Sequence, residues 1–269
     1  MIEGLVSIIT TTYNSAEFIG RTIETVLAQS YQKWELVITD DCSSDASCEI
    51  VSSYAAKDDR IKLFRLSENG GPGTSRNYSI SKSSGQYIAF LDSDDGWLPD
   101  KLERELALMK EKQCGIVYSS YLTCNEDNKI TGLVRCRRSV SYSRVICDDP
   151  IGFLTLMYDR KITGDLLLPT MRKRQDWGFK ILLFRKCPVA YGVAEPLAVY
   201  KIRANSVSRN KMSLIRYNVA VYREVAGFTK AGAYLMFCLV FMPTYVCKKL
   251  ANRLKTLTFN PEDYELKGK

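Results

Sequence analysis

The feature that most constrains this chain is the alternation of short apolar runs with amphipathic stretches through its first third. Residues 6–12 form a β-branched run, residues 16–29 carry apolar side chains at helical spacing, and residues 34–39 are again apolar. A second cycle predicts a helix over 45–57, a strand over 61–66, a helix over 73–82 behind a Gly-rich turn, and a strand over 87–91. These apolar runs are too uniform for strands with one wet face. They imply a mostly parallel sheet covered by helices on both sides, an α/β sandwich. Leu98-Pro99-Asp100 then opens a helix to about Lys112, and residues 116–122 predict another strand. Residues 125–147 read as a polar excursion, followed by helices over 153–158 and 176–185.

A chain of 269 residues with 46% hydrophobic and 25% charged side chains is expected to form one large domain with an appended tail. The division expected is a catalytic unit over 1–210, with a ligand-binding half over 1–122 and a second half over 123–210, followed by a helical tail over 211–269. Met1 leads straight into a strand without a basic, then apolar, then small-residue leader, so the chain is read as unexported and cytoplasmic. The nine cysteines are scattered and form no C-x-x-C pair, which fits reduced thiols. Histidine is absent, which excludes Ser-His-Asp and Cys-His chemistry and histidine-ligated zinc. Carboxylates must carry any acid–base step.

Ligands of such sheets bind beyond the carboxyl ends of the strands, and four junctions there stand out. The first, Thr10-Thr11-Thr12-Tyr13-Asn14, offers hydroxyls, an aromatic ring and an amide to a base and ribose; alternatively Asn14-Ser15 only caps the next helix. The second is Asp40-Asp41-Cys42-Ser43-Ser44-Asp45, where Asp41 can accept hydrogen bonds from a nucleobase or ribose and Ser44 or Asp45 reads as a helix cap. The third, Asn69-Gly70-Gly71-Pro72-Gly73-Thr74-Ser75-Arg76-Asn77, sets backbone N–H groups and Arg76 where a diphosphate can be met. It is neither a P-loop nor a dinucleotide fingerprint. The fourth, Leu91-Asp92-Ser93-Asp94-Asp95-Gly96-Trp97, crowds carboxylates that repel unless a cation sits among them, and hard oxygen ligands suit Mg²⁺ or Mn²⁺.

The succession of Val6-Ser-Ile-Ile-Thr-Thr-Thr-Tyr-Asn14, Gln29-Ser-Tyr31, Trp34-Glu-Leu-Val-Ile-Thr-Asp-Asp-Cys-Ser43, Asn69-Gly-Gly, Arg76-Asn77 and Asp92-Ser-Asp-Asp-Gly-Trp-Leu-Pro-Asp-Lys-Leu102 resembles the family 2 glycosyltransferases of the GT-A fold, over roughly residues 5–122. The resemblance implies a metal-dependent transferase that inverts the anomeric centre. It assigns Thr11, Tyr13, Asn14 and Asp41 to the nucleotide and Gly71 and Arg76 to the neighbourhood of the diphosphate. Asp92, Ser93 and Asp94 go to ribose and metal, with Asp94 the direct Mn²⁺ or Mg²⁺ ligand and Asp92 its companion. The family's base, the Asp of a Glu-Asp pair, falls on Asp176, with Gln175 where Glu is common; Asp165 is the reserve. The bland alternative for Asp176 is a first-turn residue favoured by the helix dipole. Arg203, Ser206 and Ser208 lie in a stretch resembling the loop that closes over the diphosphate.

The net charge of +8 is concentrated late: residues 201–257 hold eleven Lys or Arg against the single acid Glu224. Within that tail residues 231–247 are uncharged, contain Pro243 and are flanked by Lys230, Lys248 and Lys249. This pattern fits a helix lying in the interface of an anionic membrane, at the cytoplasmic face of the inner membrane; the alternatives are a helix packed on the domain or a dimer contact. No nucleic-acid recognition motif occurs, and the oligomeric state is left open. By resemblance the expected donor is a UDP-hexose or UDP-N-acetylhexosamine and the acceptor a lipid-linked saccharide of bacterial O-antigen or capsule synthesis. A polyprenyl-phosphate sugar synthase, a Mg²⁺-dependent nucleotidyltransferase and a non-catalytic nucleotide-sugar-binding protein are the alternatives.

Overall fold

The computed structural model describes residues 1–203 and 211–256, with side chains described up to 203 and from 214 to 250. The first half follows the alternation: β1 (Ile2–Thr12), α1 (Ile19–Leu27), β2 (Trp34–Asp40), α2 (Ser47–Ala55), β3 (Ile61–Arg65), α3 (Pro72–Lys82) and β4 (Gly85–Phe90). A two-residue strand β5 (Gly96–Trp97), helix α4 (Lys101–Lys112) and strand β6 (Ile116–Cys124) come next. The chain continues through β7 (Ile130–Val134), β8 (Ser139–Ser141), α5 (Tyr142–Cys147), β9 (Met157–Asp159), α6 (Arg160–Thr163), α7 (Gln175–Lys186) and β10 (Val189–Lys201). The C-terminal region is helical: α8 (Lys211–Ala220), α9 (Lys230–Met236) and α10 (Met242–Thr256), with π-helical turns at Val221–Val225 and Phe237–Phe241.

The strands form one sheet in the order β3-β2-β1-β4-β9-β6-β10-β5, with β7 added to β6 and β8 to β10. β3, β2, β1 and β4 are mutually parallel, as are β6 and β10, while β9 runs antiparallel between β4 and β6. Every residue of β2 is buried, so both faces of the sheet are covered. Side-chain alternation divides β1 between two cores: Val6 and Ile8 face α1 and α4 residues such as Ile23 and Leu102, while Ile9 faces Trp177 and Phe179 of α7. The register Val6↔Trp34 through Thr12↔Asp40 brings the carboxyl ends of β1 and β2 level, and β4 ends beside them. The four junctions singled out in the sequence therefore share one rim.

Two expectations are corrected, and one long strand was not foreseen. Residues 153–158 are not a helix but a 3₁₀ turn at Phe153–Thr155 followed by β9. A six-residue apolar run satisfies either period, and the gap between β4 and β6 selects the extended form. The polar excursion over 125–147 is structured, because β7 folds back as a hairpin on β6 and β8 pairs with β10. β10 carries no clean alternation and contains Pro196, where its pairing with β6 shifts register; that irregularity hid it.

The tail helix does not stop at Pro243. Proline has no N–H to give and crowds the carbonyl four residues back, and the wider π turn over Phe237–Phe241 lies directly before it. Ala233, Phe237 and Phe241, spaced by four, face the domain; Phe241 lies 5.3 Å from the Trp177 ring, which also meets Tyr222 edge-on at 5.3 Å. Leu235, Leu239, Met242, Val246 and Leu250 are exposed.

Candidate active site

At the first junction Thr12 is buried, Tyr13 is half exposed, and Asn14 adopts a left-handed turn (φ 46°). Asn14 does not cap α1. Its Oδ1 accepts from the Ser44 N–H at 2.9 Å while its own N–H donates to Ser43 Oγ at 2.9 Å, so it ties the first junction to the second. Asp45 does serve the start of α2, accepting from the Ser47 N–H at 3.0 Å, and also holds the Ala16 N–H at 3.0 Å. Thr11 lies beside Thr39 in the β1–β2 register, one residue short of the strand's end.

Asp41 is buried and braces the Gly-rich turn: its two carboxylate oxygens accept from the Gly70 and Gly71 N–H groups, each at 2.9 Å. The N–H of Gly71 is thus directed at Asp41 rather than outward. Gly71 has φ +81°, which a side chain resists, and Pro72 starts α3 directly after it. One turn into α3, the nearly buried Arg76 donates to Asp92 Oδ1 at 2.5 Å and lies 4.9 Å over the Phe153 ring. It also reaches α7: with its amide set to donate to the Met171 carbonyl, the buried Gln175 accepts from Arg76 Nη1 and from the Gly73 N–H, both at 3.3 Å. The neutral amide at 175 therefore has a place of its own, joining the Gly-rich turn, Arg76 and the start of α7.

The aspartates after β4 are not one cluster. Thr22 Oγ1 on α1 donates to the Ser93 and Asp95 carbonyls at 2.9 and 2.8 Å, and Ser93 Oγ meets Ser15 Oγ at 3.0 Å, which fixes the turn. Asp92 faces Arg76 and Asp94 faces Arg203 Nη1 at 3.2 Å, whereas Asp95 turns inward to accept from the Lys201 N–H at 2.9 Å. Burial first, then the charge of Asp92, raises the Asp94 carboxyl above its ordinary value against the pull of Arg203. Burial, then Asp92 and Asp94 together, holds Asp95 well above the usual range. Two unlike environments thus follow from adjacent residues. Among the described residues no group of three or more His, Cys, Asp or Glu side chains is placed to hold a metal alone. The Asp92 charge still acts on Asp94, and two carboxylates with substrate phosphate suffice for Mg²⁺ or Mn²⁺. A cavity of about 420 Å³ adjoins Asp94 and Asp95, walled by Phe18, Arg21, Thr25 and Lys201.

Asp176 is in the first turn of α7, behind Arg174, which is held in a left-handed conformation (φ 66°). Burial acts to raise its carboxyl, yet Lys180, then Arg174 and Arg76, outweigh that and leave it below its ordinary value. Asp165, the reserve, is three-quarters exposed and paired with Arg160 at 2.5 Å, away from this arrangement. Of the closing stretch, Arg203 reaches Asp94 and lies 4.6 Å from the Phe18 ring, while Ser206 and Ser208 fall outside the described residues. Lys180, Asp149 and Phe18 were not foreseen. The signal for Lys180 was a lone cation four residues after Asp176 on a helix otherwise apolar on that side.

A mostly parallel sheet with this strand order, an acidic turn after β4 and an acid-led helix behind it define a GT-A glycosyltransferase fold. TarS of S. aureus, solved with UDP-GlcNAc, superposes with a TM-score of 0.70 at 20% identity, over 87% of this chain and 71% of that one. The family model described as Glycosyl transferase family 2 matches residues 7–164, and the chain belongs to that family. It is 39% identical over 222 residues to a putative teichuronic acid biosynthesis glycosyltransferase, TuaG, of Bacillus subtilis, covering 82% of this chain and 88% of that protein. It is 32% identical over 216 residues to the Escherichia coli UDP-Glc:alpha-D-GlcNAc-diphosphoundecaprenol beta-1,3-glucosyltransferase WfgD, covering 80% and 84%.

Proposed function

We propose that the protein transfers a hexose or N-acetylhexosamine from a UDP-sugar to a hydroxyl of a lipid-linked saccharide in bacterial surface-polysaccharide synthesis, with inversion at the anomeric carbon. The observation that carries this reading is the chain Asp41, Gly-rich turn, Gln175, Arg76, Asp92, which locks the nucleotide rim to the helix that bears Asp176. The likeness to WfgD supports the lipid-linked acceptor and the UDP-linked donor.

In this mechanism Thr11, Tyr13, Asn14 and Asp41 hold the nucleoside, and Arg76 stands at the diphosphate with Gly71 shaping the turn beneath it. Asp94 and Asp92 would hold Mn²⁺ or Mg²⁺, which supplies charge neutralisation to the departing diphosphate. Asp176 takes the proton of the acceptor hydroxyl as that oxygen attacks the anomeric carbon from the face opposite the leaving group. The step requires its ionised form, which Lys180, Arg174 and Arg76 favour. Arg203, already on Asp94, adds a positive charge beside the leaving diphosphate.

Residues 1–210 are assigned to binding and catalysis, and residues 211–269 to support of α7 and contact with the inner membrane's cytoplasmic face. The segment Lys230–Leu250 is 21 residues long and contains an 18-residue stretch of mean hydropathy 1.4, enough in length and composition for a span. Its Phe237 and Phe241 are seated on the domain, however, so a helix lying along the surface keeps both its contacts and its exposed leucines satisfied. The reading is tested by incubating the protein and Mn²⁺ or Mg²⁺ with α-D-GlcNAc-diphosphoundecaprenol and each of a panel of UDP-sugars, following UDP release. Acceptor-dependent UDP release is expected; absence of both turnover and binding with every nucleotide sugar overturns it.

A further inference from the structure

Lys180 is fully buried, a costly place for a cation, and its partners account for it. Its ammonium pairs with Asp149 at 2.5 Å, donates to the Ile151 carbonyl at 2.6 Å and stands 5.7 Å from the Phe153 ring. Phe153 is the ring beneath Arg76. Asp149 is in turn approached from the tail, where Lys248 donates to its carbonyl at 2.7 Å and lies 3.7 Å from Asp148. Lys180 is four residues after Asp176, on the same face of α7. The charged groups acting on Asp176 are Arg76 from α3, Arg174 from the turn before α7, Lys180 from α7 itself, and Asp149 from the turn after α5.

We propose that Lys180 is a positioning residue: clamped by Asp149 and the Ile151 carbonyl, it stands one helical turn from Asp176 on the same face of α7 as a fixed positive charge for the base. This rests on Asp176 as the base and deepens that reading. Arg76 and Arg174 also attract Asp176, but Arg76 is engaged by Asp92 and Gln175. Lys180 is the fully buried member of the set, and Asp149 opposes it as a like charge to Asp176. The pair therefore has a property that a merely structural ion pair lacks: its two members act on Asp176 with opposite sign.

The test is a titration of the protein alone, labelled with ¹³C at the aspartate carboxyls, with the Asp176 resonance identified by its loss in Asp176→Asn. Lys180→Met is expected to raise the Asp176 midpoint and Asp149→Asn to lower it. Removing one member of a buried pair can prevent folding, so the double variant Lys180→Met/Asp149→Asn, which leaves no unpaired charge, is compared with Asp149→Asn and is expected to titrate at the higher pH. A midpoint unmoved by loss of Lys180, or moved in the same direction by both single variants, overturns the proposal. Failure of the base assignment is distinguishable, because it shows as undiminished turnover in Asp176→Asn whatever the titration gives.

Discussion

Replacing Asp41 by asparagine isolates the contact on which the nucleotide rim is built. The carboxylate is 4% exposed and accepts two backbone N–H bonds, each 2.9 Å long. A hydrogen bond to a charged acceptor contributes about 1.5–3 kcal/mol net, and the Gly70 and Gly71 donors lie on a part-exposed turn where water replaces some of what is lost. Asparagine offers one carbonyl oxygen and turns its NH₂ toward the other glycine N–H, so one bond is weakened and the second becomes a donor facing a donor. The expected cost is about 3 kcal/mol, which at roughly 2–4 °C per kcal/mol lowers the melting temperature by about 6–12 °C. The Gly70–Gly71 turn also sets the start of α3 and hence Arg76, so UDP affinity should fall by at least about tenfold. Thermal unfolding by circular dichroism and calorimetric titration with UDP read the two effects. A variant melting within about 2 °C of the parent with unchanged UDP affinity refutes the reasoning.

Asp95 gives a pH prediction whose sign follows from its folded environment. Its carboxyl titrates higher in the folded chain than in the unfolded one, so the native state binds the extra proton, and ionisation costs stability as pH rises through the raised value. Asp95→Asn keeps an oxygen for the Lys201 N–H; in chelator it should melt higher than the parent at pH 8, with the gap closing as pH falls, and a lower melting point at pH 8 contradicts this. The tail predicts a surface effect without a folding effect. Flotation with phosphatidylglycerol-containing vesicles should carry the parent chain, while Leu235→Glu/Leu239→Glu, changed only at exposed positions, should stay behind with an unaltered melting temperature.

The nucleotide half was legible because its signals are local. β-branched runs, a Gly-Gly-Pro turn and acids at strand ends each state their own conformation, and α1 to β4, α4 and β6 appear where the periodicity puts them, with ends shifted by a few residues, while the two-residue β5 was not foreseen. The second half was less legible because its conformation is decided at a distance. Residues 157–159 are a strand only because β4 and β6 leave a gap there, and β10 breaks its own pattern at Pro196. The same division runs through the site. Asp92, Asp94 and Asp176 could be picked out as residue types in context, but the inward turn of Asp95 depends on Lys201, 106 residues away. The Lys180–Asp149 pair bridges two segments with no shared motif. Gln175, read as a departure from a Glu-Asp pair, proves to be an amide with three partners of its own.

The central claim is that Asp176 deprotonates an acceptor hydroxyl in an inverting transfer from a UDP-sugar. It is tested most directly by comparing the parent with Asp176→Asn on the donor and acceptor that give UDP release, with the anomeric configuration of the product read by NMR. The account predicts a product of inverted configuration, a fall in kcat of about 10²–10⁴-fold in the variant, and UDP affinity unchanged. Retained configuration, or a variant as active as the parent, contradicts it.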